Sequence, residues 1–120
     1  MSDETEIVSG LLLELRRGMI VLSVLSQLNK PKYGYFLMQS MEEKGVLVDA
    51  GTLYPLLRRL EKQDLLRSEW EVSGSKPRKY YSLSKTGEAV YQKLCDQWTV
   101  MAKNMDKLIN EKGDKPDGID

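Results

Sequence analysis

Residues 49–63 read DAGTLYPLLRRLEKQ, and residues 64–83 continue as DLLRSEWEVSGSKPRKYYSL. The first segment places leucines on one helical face, at the spacing i, i+3, i+4 and i+7: Leu53, Leu56, Leu57 and Leu60. Asp49 can cap such a helix, because its side chain accepts a hydrogen bond from the first turn. The second segment alternates apolar and charged residues on either side of a turn, which is typical of a β-hairpin. We therefore predict a helix from Asp49 to about Gln63, followed directly by two antiparallel strands.

The predicted hairpin combines a half-buried strand with a basic tip. The first strand covers residues 65–72 and has one face made of Leu66, Ser68, Trp70 and Val72. The chain turns at residues 73–77, and residues 79–83 form the second strand. The tip carries a compact cationic cluster, Lys76-Pro77-Arg78-Lys79.

Two further helices are predicted before this segment. Apolar residues recur at helical spacing from about Glu4 to Leu28, and Pro31 ends the pattern because proline disfavours helical geometry at the preceding residue. A shorter helix fits Tyr33 to Lys44, with Gly45 as a suitable residue at its C-terminal end.

Pro55 conflicts with a helix that begins immediately after Asp49, since a proline beyond the first turn removes a helical hydrogen bond. The simpler interpretation is that the helix begins as late as Thr52. The alternative is that the irregularity serves an exposed functional surface.

Ser84 can cap a final long helix that runs through about Asn110. Its apolar residues are spaced +4, +3, +4 and +3, the 3.5-residue period of a coiled-coil seam: Leu94, Trp98, Met101, Met105 and Leu108. Such a seam needs a facing partner, so these residues are the candidate homodimer interface. Residues 113–120 are polar and contain Gly and Pro, which predicts a disordered tail.

The composition removes most classes of catalytic and metal site. The 120 residues include no histidine and one cysteine, Cys95, so no histidine-dependent triad, Cys–His dyad or multi-ligand zinc site can form. We expect no catalytic residue, no metal site and no cofactor. A small enzyme that uses carboxylates alone remains an alternative, although no motif pairs two acids. The acidic start of the chain is the opposite of a secretory signal, which favours a cytoplasmic protein.

A net charge of zero conceals a basic centre. The chain has 18 Lys and Arg against 18 Asp and Glu. Between Arg58 and Lys85 there are eight bases and four acids, 8 − 4 = +4, whereas residues 1–6 carry −3 and residues 106–120 carry 3 − 5 = −2. Any attraction for nucleic acid is therefore local to the centre of the chain.

The face of the 49–63 helix opposite the leucines carries small residues first and cations later. It consists of Gly51, Pro55, Arg58 and Lys62, flanked by Tyr54 and Arg59. A helix that enters a DNA major groove favours this order, because its first residues approach base edges while longer cations reach phosphates. For the helix alone, a solvated charged face is the alternative. The basic hairpin directly downstream lies where the wing of a winged helix contacts DNA.

Four segments, in order, resemble the PadR family of bacterial transcriptional regulators. Leu15-Arg16-Arg17-Gly18 and the apolar run after it resemble the first helix of the family, and Tyr33-Gly34-Tyr35 resembles its second-helix signature. Residues 51–61 closely resemble the recognition helix. Residues 78–83, followed by Gly87, match the second wing strand and the start of the last helix. The resemblance covers about residues 12–110.

The resemblance implies a homodimer, built by the first and last helices, that binds a pseudo-palindromic operator and represses transcription. The single short last helix is similar to the small PadR subfamily, some members of which regulate multidrug transporters and bind flat aromatic compounds at the dimer centre. By that similarity Trp98 is the candidate stacking residue, with Leu15 and Met19 as neighbours. An aromatic on the seam is more often interface core, which is the alternative for Trp98. The chain departs from the family pattern at Asp64, where Gly is frequent, and at Ser82, where a base is frequent.

We predict a mainly α protein with a small β-hairpin (α+β), a winged helix-turn-helix with N- and C-terminal dimerisation helices. Residues 1–85 form the DNA-binding domain, 86–112 the C-terminal dimerisation helix and 113–120 the tail. The predicted partners are double-stranded DNA, a second copy and, by the resemblance, a small planar aromatic compound. The predicted DNA-contacting residues are Tyr35, Gly51, Thr52, Tyr54, Pro55, Arg58, Arg59, Lys62, Lys76, Arg78 and Lys79. A winged helix that binds other proteins, without sequence-specific DNA binding, is the alternative.

Overall fold

The computed structural model describes residues 3–111, which form five helices and a three-stranded sheet. In chain order the elements are α1 (Asp3–Arg17), α2 (Met19–Ser26), β1 (Lys32–Tyr33), α3 (Gly34–Glu43), α4 (Ala50–Lys62), β2 (Leu66–Glu71), β3 (Arg78–Leu83) and α5 (Lys85–Ile109). This order is the winged helix-turn-helix that the sequence predicted. The predicted tail, residues 113–120, lies outside the described residues.

The hydrophobic core joins α2, α3 and α4 to the base of the hairpin. The four leucines of the α4 stripe are buried, as the helical spacing predicted. They pack with apolar side chains from the neighbouring elements, among them Val24, Leu25, Leu28, Leu37, Met41, Leu66 and Leu83. Buried leucines on one side of α4 turn its opposite side outward.

The sheet is antiparallel in the order β1-β3-β2. The hairpin of β2 and β3 was predicted, but β1 was not, because a two-residue strand has no readable alternation. β1 pairs Tyr33 with Tyr80. This pairing attaches the start of α3 to the wing.

The predicted first helix is in fact two helices that meet at Gly18. Glycine has the lowest helix propensity after proline, and Gly18 offers no side chain to pack or cap. The break separates two different environments, since α1 buries none of its residues whereas α2 buries Val24 and Leu25 in the core.

The prediction that α4 begins as late as Thr52 was wrong. The helix begins at Ala50, because Asp49 caps it by accepting a 2.9 Å hydrogen bond from the Thr52 backbone N–H. Pro55 therefore lies inside the helix, and the carbonyl of Gly51 receives no hydrogen bond from it. Gly51 and Pro55 are both exposed, so water can satisfy that carbonyl.

The first strand of the hairpin is buried only at its base. Leu66 is buried and Ser68 half-buried, but Trp70 is 62% exposed and Val72 is 70% exposed, contrary to the half-buried face predicted for all four. The outer half of the hairpin extends beyond the core, which leaves Trp70 and Val72 exposed.

The start of α5 is hydrogen-bonded to the turn that follows α4. The Ser84 hydroxyl accepts a hydrogen bond from the Gly87 backbone N–H at 2.9 Å and donates one to the Asp64 carbonyl at 2.7 Å. Asp64 adopts a left-handed conformation, with φ at 62°, a geometry that aspartate tolerates better than most residues. Among the described residues, no helix is long and apolar enough to cross a membrane.

Candidate nucleic-acid interface

The exposed face of α4 is the one that the sequence predicted. Gly51, Pro55, Arg58 and Lys62 are exposed opposite the buried leucines, and Arg59 is exposed beside them. Within residues 3–111, none of these three cations forms an ion pair. Their guanidinium and ammonium groups are therefore available to an anionic partner.

Tyr54 is half-buried and packs on α3. A Cβ atom added to Gly34 would lie 2.4 Å from the Tyr54 ring, so the absence of a side chain at Gly34 is what lets the ring pack there. Sequence reasoning placed Tyr54 at the DNA and missed this contact. The Gly between two tyrosines in residues 33–35 was the signal that could have indicated a close approach.

The structure gives Tyr33 and Tyr35 different environments. The Tyr33 ring is half-buried, lies 6.2 Å from the Phe36 ring and meets the Tyr80 ring edge-on at 5.4 Å. Tyr35 is 55% exposed, and its hydroxyl accepts a 3.3 Å hydrogen bond from Gln39. Tyr33 is thus a packing residue, and Tyr35 presents its hydroxyl at the surface of α3.

The three cations of the wing have different environments. Lys76 is exposed in the turn between the strands. The Arg78 guanidinium lies 4.7 Å from the centre of the Tyr33 ring, in cation–π geometry. The Lys79 ammonium lies 3.4 Å from a carboxylate oxygen of Glu61. Two of the predicted phosphate contacts therefore also hold the wing in place, Arg78 against Tyr33 of β1 and Lys79 against Glu61 of α4.

Glu61 was absent from the predicted site and is central to its geometry. Its second carboxylate oxygen accepts a 2.5 Å hydrogen bond from the Ser68 hydroxyl on β2. This hydrogen bond, followed by the contact with Lys79, lowers the pKa of Glu61 below its ordinary value. Partial burial opposes the charge of Lys79, but Tyr81 and Glu61 outweigh it and raise the pKa of Lys79. Glu61 therefore stays ionised beside a charged Lys79.

A groove of about 400 Å³ separates the wing from α3 and α4. Its walls include Tyr54 and Arg58 from α4, Trp70 from β2 and Arg78 from β3. A helix with an exposed cationic face, a basic hairpin and a concave surface between them are arranged as the recognition helix and wing of a DNA-binding winged helix. A family model described as "Transcriptional regulator PadR-like family" matches residues 21–93, more than half of the chain and all of this surface up to the start of α5.

The chain belongs to the PadR-like family of transcriptional regulators.

Two solved structures and one curated protein are similar to this PadR-like chain. A PadR family transcriptional regulator from Eggerthella lenta is 49% identical with a TM-score of 0.86, and the alignment covers 91% of this chain and 97% of that one. A PadR-like transcription factor from Bacteroides fragilis is 35% identical with a TM-score of 0.69, covering 82% and 98%. The transcriptional regulator Rv3488 of Mycobacterium tuberculosis is 35% identical over 77 residues, 63% of this chain and 72% of the relative.

Family membership makes the chain a DNA-binding regulator and not an enzyme, because the members are transcriptional regulators. It confirms the predicted family, fold and class of function. It favours DNA over another protein as the partner of the α4 face.

The three predicted effector residues of this PadR-like chain lie together. Leu15, Met19 and Trp98 line one groove of about 420 Å³, which lies between the junction of α1 with α2 and the middle of α5. Met101 and Met105 extend the same apolar wall, and Asp106 lies at its edge. Trp98 is 43% exposed, so its ring is accessible.

The predicted seam of α5 is uncovered in the PadR-like chain. Its five members are at least 36% exposed, and Leu108 reaches 68%. A single helix with this much exposed apolar surface is unusual for an isolated chain. Cys95 is half-buried beside the seam and raises the pKa of Tyr91 through a hydrogen bond.

Proposed function

We propose that the protein is a homodimeric repressor that occupies a pseudo-palindromic operator and is released by a small planar aromatic compound. The observation that carries the proposal is the exposed cationic face of α4, whose cations form no ion pair within residues 3–111, beside the basic wing. In a dimer, the two α4 helices would enter successive major grooves about one helical turn apart. Occupation of the operator would block the promoter.

The proposed division of labour follows the position of each residue on α4 and the wing. The N-terminal part of α4 approaches base edges, with Gly51, Thr52, Tyr54 and Pro55 forming the groove contact. Tyr54 contributes one edge of its ring, since its packing on Gly34 leaves it half-buried. The proposed phosphate contacts are Tyr35, Arg58, Arg59, Lys62, Lys76, Arg78 and Lys79.

Dimerisation is supported by apolar surface that a single chain leaves uncovered. The seam of α5 and the apolar side chains of α1, such as Ile7, Val8 and Leu11, are exposed. The radius of gyration is 18.8 Å, against about 14 Å for a compact chain of this length. We propose residues 1–85 as the DNA-binding domain and 86–112 as the dimerisation helix of this assembly.

The effector proposal is supported by the groove beside Trp98. Its walls are an aromatic ring and thioethers, which adapt to flat apolar molecules of different outline. The groove opens onto the seam of α5, so a facing subunit would close it. A bound aromatic compound would then change the packing of the two dimerisation helices.

Gel shifts with the DNA upstream of the protein's own gene test the central proposal. Specific retention at moderate salt, with a folded dimer confirmed by sedimentation, is the expected result. A folded dimer that distinguishes no DNA sequence would contradict it.

Quenching of tryptophan fluorescence by planar aromatics tests the effector site. The chain has two tryptophans, so Trp98→Phe and Trp70→Phe variants assign the signal. Quenching should persist in Trp70→Phe and be lost in Trp98→Phe. Quenching that survives the loss of Trp98 argues against the groove.

A further inference from the structure

One carboxylate connects the recognition helix to both strands of the wing. Glu61, in the last turn of α4, accepts a hydrogen bond from Ser68 on β2 and pairs with Lys79 on β3. Ser68 and Lys79 lie on the same face of the hairpin, because Ser68 pairs with Tyr81 and Trp70 pairs with Lys79. A single side chain on α4 therefore contacts the middle of each wing strand.

The partners of Glu61 are themselves held in place. The Lys79 ammonium lies 5.3 Å from the centre of the Tyr81 ring and 6.0 Å from that of the Trp70 ring. The side chains of Lys79 and Glu61 are 31% and 33% exposed, so the pair is partly shielded from water. A hydrogen bond to a charged group in such a place is stronger than a fully exposed ion pair.

We propose that Glu61 is a positioning residue for DNA recognition, which fixes the angle between α4 and the wing so that both reach the same DNA segment. This inference rests on the proposed binding of operator DNA by α4 and the wing. By charge alone, Glu61 should oppose DNA binding, since it is an acid between the cations Arg58, Lys62 and Lys79. The positioning role predicts instead that Glu61 strengthens binding to operator DNA.

The first comparison is between Glu61→Gln and a matched control, Glu69→Gln. Glu69 is exposed on β2 and, by strand alternation, lies on the face away from Ser68. Both variants remove one negative charge near the basic surface. Glu61→Gln should weaken binding to the operator by about threefold to tenfold while slightly tightening binding to a scrambled duplex. Glu69→Gln should tighten both.

Ser68→Ala provides a second variant that changes no charge and removes no proposed DNA contact. It should weaken operator binding in the same direction as Glu61→Gln. Because the two side chains form one hydrogen bond, the double variant should lose less affinity than the sum of the single losses.

Trp70 supplies a readout in the protein without DNA. In a Trp98→Phe background Trp70 is the remaining tryptophan, and the Lys79 ammonium lies 6.0 Å from the centre of its ring, so its emission should respond to that charge. Glu61→Gln should shift this emission by releasing Lys79, whereas Glu69→Gln should leave it unchanged.

The outcomes separate this inference from the function on which it rests. Loss of specific over scrambled binding in Glu61→Gln and Ser68→Ala, together with the Trp70 shift, supports the positioning role. Equal tightening of operator binding in Glu61→Gln and Glu69→Gln overturns it and leaves operator binding intact. Wild-type protein that binds both duplexes equally overturns the proposed function itself.

Discussion

At the scale of single residues, the interface depends on side chains whose environments differ although their charges are alike. Arg58 has no ion-pair partner within residues 3–111, whereas Lys79 is engaged by Glu61 and two aromatic rings. A cation without an ion pair can interact with a phosphate directly. A paired cation must first break its ion pair or divide its interaction between the carboxylate and the phosphate. The six cations of α4 and the wing tip should therefore contribute unequally to DNA binding.

Replacing Arg58 by alanine should weaken binding to DNA of any sequence and lower the salt dependence by about one counterion. Fluorescence anisotropy across a salt series measures both effects. Lys103→Ala removes an equal charge from the exposed part of α5 and is the control. Equal effects of the two variants would contradict a role for Arg58 at the interface.

Gly34→Ala should lower the free energy of unfolding by about 1–3 kcal/mol, because the new Cβ would overlap the Tyr54 ring. Urea denaturation gives the value. Gly74→Ala is the matched control, since no atom lies within 4 Å of its added Cβ. If Gly34→Ala is no less stable than Gly74→Ala, the packing of Tyr54 on α3 is wrong.

At the scale of elements, capping groups fix where the helices begin. Ser84 caps α5 by accepting from the Gly87 N–H, and Ser84→Ala should cost about 0.5–2 kcal/mol of stability. Thermal unfolding measures this loss. Ser84→Thr, which keeps a hydroxyl that can both accept from Gly87 and donate to Asp64, should retain most of the stability, and a Ser84→Ala variant as stable as wild type would contradict the cap.

The contact between α4 and the wing should also make the free energy of unfolding depend on pH. The pKa of Glu61 is lowered from its ordinary value of 4.5, first by the Ser68 hydrogen bond. A lowered pKa in the folded protein means that this contribution is complete above about 4.5 and is lost as pH falls through the lower folded value. Urea midpoints between pH 3 and 6 should therefore fall less steeply below pH 4.5 in Glu61→Gln than in wild type. If the urea midpoints of the two proteins fell equally steeply with pH, the lowered pKa of Glu61 would be contradicted.

Which elements the sequence predicts depends on whether the signal is local. The leucine period of α4, the hairpin turn and the seam of α5 are patterns within one segment, and all three predicted the correct element. The contacts of Tyr54 with Gly34 and of Glu61 with Lys79 join residues about 20 positions apart, so no local period contains them. The two-residue strand β1 is specified by its pairing with β3 and was missed for the same reason.

At the scale of the whole molecule, the folded chain is more elongated than a compact protein of its length. Its principal extents are 68 × 41 × 23 Å, and α1 buries none of its residues. A compact chain of this size would cover its apolar helices with its own side chains. A second copy on the exposed seam of α5, as proposed, would make the oligomeric state part of the stability of the fold.

Met101→Glu should dissociate the proposed dimer, because it places an acid at the centre of the seam. Sedimentation at micromolar concentration should detect a lighter species, and operator affinity should fall at least tenfold since one recognition helix is lost. Lys103→Glu, which adds an acid on another side of α5, should remain dimeric. A Met101→Glu protein that sediments like wild type would place the interface elsewhere.

The junction between α4 and α5 has a mechanical consequence. The Ser84 hydroxyl holds the Asp64 carbonyl, the Ser84 N–H donates to the Leu65 carbonyl at 3.0 Å, and a Cβ at Gly87 would lie 2.0 Å from that same oxygen. No room is left there for a hinge. α5 is about 37 Å long and Trp98 lies about 20 Å along it, so in the proposed dimer a change of tilt at Trp98 would be transmitted along the helix to α4. A tilt of a few degrees at Trp98 would move the recognition helix by an ångström or more, a distance comparable to the tolerance of a base contact.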